Sequence, residues 1–473
     1  MKVSTYLGDK PFWNVALRLA IPIALQNVLS SSFMLIDTMM VSRLGDLTLS
    51  SVGMAGQWGW LFNLLSFGMC SGMSVFVSQY WGVRDLKGIR RVYGMALTTA
   101  MVACCLFVGI ALGAPEAVLR MFNQDPMVVA TGCRYLRIIC LTYPAVTLTL
   151  IMGMVLRGTE QVTIPVYVSV VTTVANIFLD YVMIFGKLGF PAMGVEGAAW
   201  ASVIASWLGP VMMILFSLRA KNLLISPLNQ IFHFGFRDLK AFYKKAAPVM
   251  GNEGLWAMGM LVLNMIYSNM GYEYYAGLTI FKTFNELCFA FYCGLCNACV
   301  IMVGKSVGMG KINRAVQDAV RFTVLVPMAS VVLGIITILL RYPLISLFAT
   351  GDNLSAATLQ SALAITIFCS VEGIFRNIPY VQIVGVFRSG GETVRGMIFD
   401  LASLWCVSIP VAWFCASVLH LPFVLVVAAA YLGEDIPKAT MCLHYFKSKK
   451  WLKPVTKEGQ EGLRLYWEER GKA

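Results

Sequence analysis

Three side chains in this sequence combine oxygen chemistry with surroundings that exclude water. Asp37 lies inside the run "SFMLIDTMMV", and Asn176 and Asp180 lie four residues apart in "NIFLD". Four residues is about one helical turn, so on a helix the amide and the second carboxylate share one face. Together the three offer oxygen ligands, the type a small hard cation such as Na+ prefers. The same groups can hold a proton, because two carboxylates in one poorly solvated pocket resist being ionised together. Each acid has a structural alternative, in which it faces an interfacial Arg or Lys or caps a helix end. Carboxylates within apolar spans are rare and costly, and that favours ion binding.

Other ionisable groups fall in similar surroundings. Glu253, in "NEGLW", has no charged partner on its own helix and lies about 20 Å along it, near the middle of a bilayer. The absence of a partner favours a functional role for this acid. Lys282 with Glu286, and Glu372 with Arg376, are spaced i, i+4 and can neutralise one another on a single helix face. For these pairs a self-satisfied polar face and a place in a substrate cleft are both open.

The elements that must carry these residues are long and apolar. Of 473 residues, 58% are hydrophobic and 13% charged, more apolar surface than one water-soluble core can hide. Windows of about 20 residues, enough to cross a bilayer, begin near Asn14, Thr48, Val92, Val128, Val162, Gly194, Leu239, Tyr274, Asp318, Ser355, Thr393 and Leu421. This predicts an all-α polytopic membrane protein with twelve transmembrane helices. The short alternating segments of a membrane barrel are not seen. The first apolar run continues past Asp37, which predicts a retained anchor in place of a cleaved leader.

The formal net charge of +13 is spread by loop and does not form the aromatic-interleaved patch expected of a nucleic-acid binder. Arg84 to Arg91, Arg219 to Lys245, Lys305 to Arg321 and Lys438 to Lys472 fall on alternate connections. By the positive-inside tendency both termini are cytoplasmic, and anionic lipid headgroups are the expected partner of this charge. Cys293, Cys296 and Cys299 have a ligand-like spacing, but they lie mid-helix without His or carboxylate companions and read as packing residues. His233, His420 and His444 lie in or near loops, which argues against a histidine relay. No GxxxxGK[ST] phosphate loop and no nucleophile constellation appears, so neither ATP use nor enzymatic activity is expected.

The chain also repeats itself. At an offset of 226, Pro22 falls on Pro248, Gly45 on Gly271, Gly68 on Gly294, Cys70 on Cys296 and Gly82 on Gly308. Later the offset drifts to 231, where "LRGTEQ" meets "FRSGGE". Each half then holds six helices, an even number, so both halves enter the membrane from the same side. Two six-helix bundles related by a parallel pseudo-two-fold repeat follow, with a cleft between them. The expected domains are an N-terminal lobe over 1–220, an interfacial connector over 221–238, a C-terminal lobe over 239–447 and a cytosolic tail over 448–473. Asp37 and Asp180 lie roughly 25 to 35 Å beyond the starts of the first and fifth spans, which places both in the outer half of the membrane.

Several dispersed motifs in order give the chain a resemblance. The Pro22-to-Asp37 spacing with "DTMMVSRLG", then "SQYWGVRD", "LRGTEQ", "NIFLD" followed by "FPAMGVEGAAWAS", and "FRSGGET" are similar to the multidrug and toxic compound extrusion (MATE) family, bacterial type, across all twelve spans. The resemblance implies two six-helix lobes and efflux of organic cations driven by inward H+ or Na+. It needs no cofactor beyond the coupling ion, and it implies a monomer in the plasma (inner) membrane. It places the N-lobe cation site on Asp37, Asn176 and Asp180, which act as metal ligands if the ion is Na+, and a bending first helix at Pro22. Where members with a C-lobe sodium site carry a Glu and an Asp, this chain has Trp256 and Asn377. The cleft residues to watch are therefore Glu253, Lys282, Glu286, Glu372, Arg376, Asn377 and Trp256. A lipid-linked precursor flippase of similar architecture and a membrane sensor that never translocates its ligand are the rival readings.

Overall fold

The computed structural model describes residues 8–122, 125–346 and 355–471. The described residues are helical or in short connections. In chain order the helices are α1 (Lys10–Ser42), α2 (Asp46–Gly82), α3 (Leu86–Gly113), α4 (Pro115–Arg120), α5 (Pro126–Ile139), α6 (Thr142–Gly158), α7 (Thr163–Phe185) and α8 (Val195–Ala220). They continue with α9 (Leu228–Ile231), α10 (Phe236–Asn269), α11 (Tyr272–Gly308), α12 (Ile312–Leu339), α13 (Arg341–Ser346) and α14 (Ala356–Tyr380). After a π-helical stretch over Val381–Phe387 come α15 (Arg388–Gly390), α16 (Val394–Ser403), a second π stretch over Leu404–Ser408, α17 (Ile409–Ser417), α18 (Phe423–Lys447) and α19 (Lys457–Glu468).

Among the described residues nine helical segments are long and apolar enough to cross a membrane, and α5 with α6, bent by 46° at their junction, makes a tenth. The bend follows from the short break at Cys140 and Leu141. Two further helices, α10 and α18, are long enough to cross but carry Asn252 and Glu253, or Glu434, Asp435 and Lys438, within their apolar stretch. The expected twelve long passes are therefore present. The repeat is visible in element lengths: α1 and α10 have 33 and 34 residues, α2 and α11 each have 37, and α3 and α12 each have 28. Pro22 stands inside α1 and Pro248 at the matching place in α10.

The chain divides into two compact units. Unit one comprises residues 1–24, 78–84 and 247–473, and unit two comprises 25–77 and 85–246. In unit two an aromatic core of Trp58, Phe62, Phe107 and Tyr143 holds α2, α3 and α6 together, with the Phe62 and Tyr143 rings stacked 4.9 Å apart. The small residues of "GVEGAAWAS" let α8 close on α7. At Gly197 a Cβ would stand 2.6 Å from the Met183 carbonyl oxygen, so only glycine permits the approach. In unit one the core gathers Leu263, Tyr267, Leu278, Phe281, Ile365, Phe423 and Tyr431 from α10, α11, α14 and α18. The π stretches adjoin Pro379 and Pro410, where the missing amide hydrogen already interrupts the regular ladder.

The 221–238 connector is bound to unit two. Arg90 donates to Ser226 Oγ at 2.8 Å and to Gln230 Oε1 at 2.6 Å, and Asn222 donates to Gln161 Oε1 at 3.0 Å. The 448–468 segment is folded onto unit one. Trp451 is fully buried, the Lys453 amide donates to the Gly390 carbonyl at 2.7 Å, and the Thr456 hydroxyl donates to the Gly308 carbonyl at 2.7 Å. The Val455 amide donates to Gln79 Oε1 at 2.8 Å, while the same side chain's amide donates to the Ser389 carbonyl at 2.8 Å.

Candidate cation site and charged clusters

In unit two, α7 presents Asn176 and Asp180 on one face, as the four-residue spacing requires. Both are almost wholly buried, at 2% and 1% exposure. The helix ends at Gly186 in the left-handed region (φ 65°), one and a half turns beyond Asp180. Asp37, on α1, is partly buried. Its charge and that of Asp180 are close enough to repel one another, and both reach the phenol of Tyr135 on α5, which is itself buried.

Among the described residues neither oxygen of Asp180, neither polar atom of the Asn176 amide, nor Oδ1 of Asp37 has a hydrogen-bond partner. No Arg or Lys of the described residues forms an ion pair with either acid. Buried polar groups are ordinarily satisfied, and an unmatched buried carboxylate is more costly than an amide or hydroxyl. These atoms suit a proton or a small cation, each of which supplies the missing positive charge. Tyr135 was not singled out from sequence, because a tyrosine in an apolar span is too ordinary to signal anything.

Unit one handles its charges differently. Glu253 on α10 accepts from Arg388 at 2.8 Å, and Arg388 is only 4% exposed. The fold buries it against an acid 135 positions away. Arg376 contacts Glu372 at 3.2 Å, as the i, i+4 spacing allows, but also Asp435 of α18 at 3.3 Å, and its guanidinium lies 4.3 Å over the Tyr431 ring. Lys438 contacts Glu434, Asp435 and Asp400 at 2.8, 3.2 and 3.3 Å. Lys438 was grouped by sequence with the closing basic segment. It lies inside α18 and is buried.

The expected Lys282–Glu286 pair is not formed. Lys282 donates to Asn264 Oδ1 of α10 at 2.8 Å, and Glu286 is exposed, with no ion-pair partner among the described residues. The long lysine stem reaches across to the neighbouring helix instead of along its own. Asn377 is satisfied by donating to Ser330 Oγ at 3.1 Å and to the Gly373 carbonyl at 2.8 Å. Trp256 packs against the apolar core of unit one. Pro22 lies two residues before the point in α1 where the division between the units falls.

The family model described as MatE matches residues 22–182 and 248–414, most of the chain. Across 452 residues the chain is 27% identical to the probable multidrug resistance protein NorM of Thermotoga maritima, covering 92% of each protein. It is 22% identical to the multidrug resistance protein MdtK of Edwardsiella ictaluri, covering 86% of this chain and 88% of that one. Among solved structures, an outward-facing multidrug resistance MATE family transporter of the MOP superfamily superposes with a TM-score of 0.83 at 17% identity, over 94% of this chain and 98% of that one. A MOP superfamily transporter from Pyrococcus furiosus superposes with a TM-score of 0.81 at 18% identity, over 94% and 96% of the two chains. At such identities the superpositions speak for the fold.

Proposed function

Because the chain belongs to the MatE family, whose members are membrane transporters and not enzymes, we propose that it exports lipophilic, often cationic small molecules in exchange for H+ or Na+. It works in the plasma membrane by alternating access, with both termini cytoplasmic. The multidrug-resistance names of its relatives support the substrate class. The observation that carries the coupling is the set of buried, unpartnered oxygens on Asp37, Asn176 and Asp180.

The coupling follows from electrostatics. An ion arriving from outside cancels charge that the low-dielectric pocket holds at a cost, so filling the pocket favours a different arrangement of α1. Pro22 supplies a place where the backbone ladder of α1 is already one hydrogen bond short. Substrate affinity falls as the pocket fills, and by reciprocity bound substrate lowers ion affinity by the same factor. Glu253, Glu286, Lys282, Glu372, Arg376, Asn377 and Trp256 line the substrate path in this reading. Methionines and aromatic rings there provide adaptable packing and cation–π contact. A flippase for phosphate-bearing lipids would need free cations. Here Arg388, Arg376 and Lys438 are each held by carboxylates, and this favours export of organic cations.

The test is uptake of a fluorescent organic cation into proteoliposomes under separately imposed proton and sodium gradients. Wild type responds to one of them, and Asp37→Asn inserts normally but loses the response. Gradient-driven uptake retained by Asp37→Asn would overturn the coupling scheme. Ligand binding without any flux in wild type would favour a sensor.

A further inference from the structure

The charged cluster of unit one contains more acid than base. Four carboxyl groups, those of Glu372, Asp400, Glu434 and Asp435, are gathered around two cations, Arg376 and Lys438. Asp400 is matched, accepting from Asn252 at 3.0 Å as well as meeting Lys438, and Glu434 has Lys438 at 2.8 Å. The remaining two are the most deeply buried, with Glu372 at 1% and Asp435 at 2% exposure. One guanidinium brings them together, Arg376 standing 3.2 Å from Glu372 Oε2 and 3.3 Å from Asp435 Oδ2.

Two ionised carboxylates have no hydrogen to place between them. Neither Glu372 oxygen receives a hydrogen bond, since Arg376 approaches Oε2 at 3.2 Å without donating well, and Asp435 Oδ1 lacks one as well. A single proton in the contact satisfies both groups and removes one of the two unmatched negative charges. The same proton also leaves Asp435 as the ionised partner that Arg376 and Lys438 both address. A metal ion fits poorly, because a guanidinium and an ammonium already stand within 3.3 Å of these oxygens.

The wider surroundings point the same way. Tyr267 of α10 has a fully buried hydroxyl with no hydrogen-bond partner among the described residues, within electrostatic reach of Glu434 and Arg376. The titratable and charged groups around Glu372 are Arg376 and Cys369 on its own helix, and Asp435, Lys438, Tyr431 and Glu434 on α18. Lys282 on α11 bears on Arg376 and Cys369. We infer that Glu372 and Asp435 share a proton, which makes unit one a second proton-binding site, separate from the Asp37–Asp180 pair.

The experiment is infrared difference spectroscopy of the full-length purified protein, read in the protonated-carboxyl stretching region. It is run in an Asp37→Asn/Asp180→Asn background, so that the outcome does not depend on the coupling scheme above. The background variant should retain a protonated-carboxyl band, and adding Glu372→Gln should remove the share of one carboxyl. Asp435→Asn, a second variant, should shift that band without removing it. Because glutamine imitates a protonated glutamate, Glu372→Gln should also keep the melting temperature of its background, whereas Asp435→Asn should lower it. The proposal falls if Glu372→Gln leaves the band intact, or if it destabilises as strongly as Asp435→Asn, which would make Glu372 the ionised partner of Arg376. It falls equally if added NaCl at fixed pH displaces the proton, because a metal ion would then be the ligand.

Discussion

Buried acids meet opposite treatment in the two units. In unit two, Asp37, Asn176 and Asp180 are drawn from two helices, and among the described residues Asp37 Oδ1 and the polar atoms of Asn176 and Asp180 have no hydrogen-bond partner and no cation pairs with the acids. In unit one, Glu253 has Arg388, and Glu372, Asp435, Glu434 and Asp400 are threaded by Arg376 and Lys438. Removing a carboxylate from water is costly in either place. Unit one offsets most of that cost with charges on its own chain and leaves only the excess acid at Glu372 and Asp435 to a proton. In the proposed scheme unit two takes its compensation from outside, and an ion gradient acts mainly on a site of this second kind, because its whole compensation arrives with the ion.

The comparison breaks most easily where unit two is given what unit one has. Asn176→Lys would place an ammonium one turn from Asp180 on the same helix face. Gradient-driven uptake should then fall by about 5- to 150-fold, the span of ordinary coupling energies, while the detergent-solubilised protein melts no lower than wild type. Undiminished uptake with a permanent cation at this position would mean that the missing countercharge is not what couples the ion. The converse experiment strips unit one. Lys438→Met leaves Asp400, Glu434 and Asp435 without their shared ammonium, and loss of one member of a buried charge set costs about 3–5 kcal/mol. A clear drop in melting temperature is expected. A variant that melts like wild type would show that the cluster is not held together by its ion pairs.

The contrast was only half legible in the sequence. Apolar length revealed the twelve passes, a constant offset revealed the repeat, and four-residue spacing put Asn176 beside Asp180, since each of these is a local or periodic property. The compensation in unit one is long-range. Arg388 meets Glu253 across 135 positions and Arg376 meets Asp435 across 59, and no local period records such pairings. Lys438 looked like one more basic residue near the end of the chain, because loop charge and helix charge are alike in composition. The i, i+4 rule succeeded for Glu372 and Arg376 and failed for Lys282, whose stem found an amide on another helix at 2.8 Å. Reach and competition decide such cases, and spacing expresses neither. Likewise the tail read as an extension because its docking depends on Gln79, 376 positions earlier.

Glu392 tests the rule at the margin of unit one, between α15 and α16 and outside the membrane-spanning segments. Burial alone would push its carboxyl up. Its ion pair with Lys453 of the docked tail, the Arg395 amide at 3.1 Å and the Tyr445 hydroxyl at 2.9 Å more than reverse this and hold it below the usual glutamate range. A carboxyl held lower in the folded than in the unfolded chain contributes its full stabilisation above the unfolded value and loses it as pH falls through the folded one. Glu392→Gln should therefore be less stable than wild type at neutral pH by about 1–3 kcal/mol, the usual cost of leaving buried hydrogen-bonding groups unmatched. The gap should close as the solution is acidified below the ordinary glutamate range. Melting curves of the two proteins over that pH range decide the matter. A gap that widened in acid would show that Glu392 binds its proton more tightly when folded, and unit one would then hold an unmatched acid where its ion pairs require a matched one.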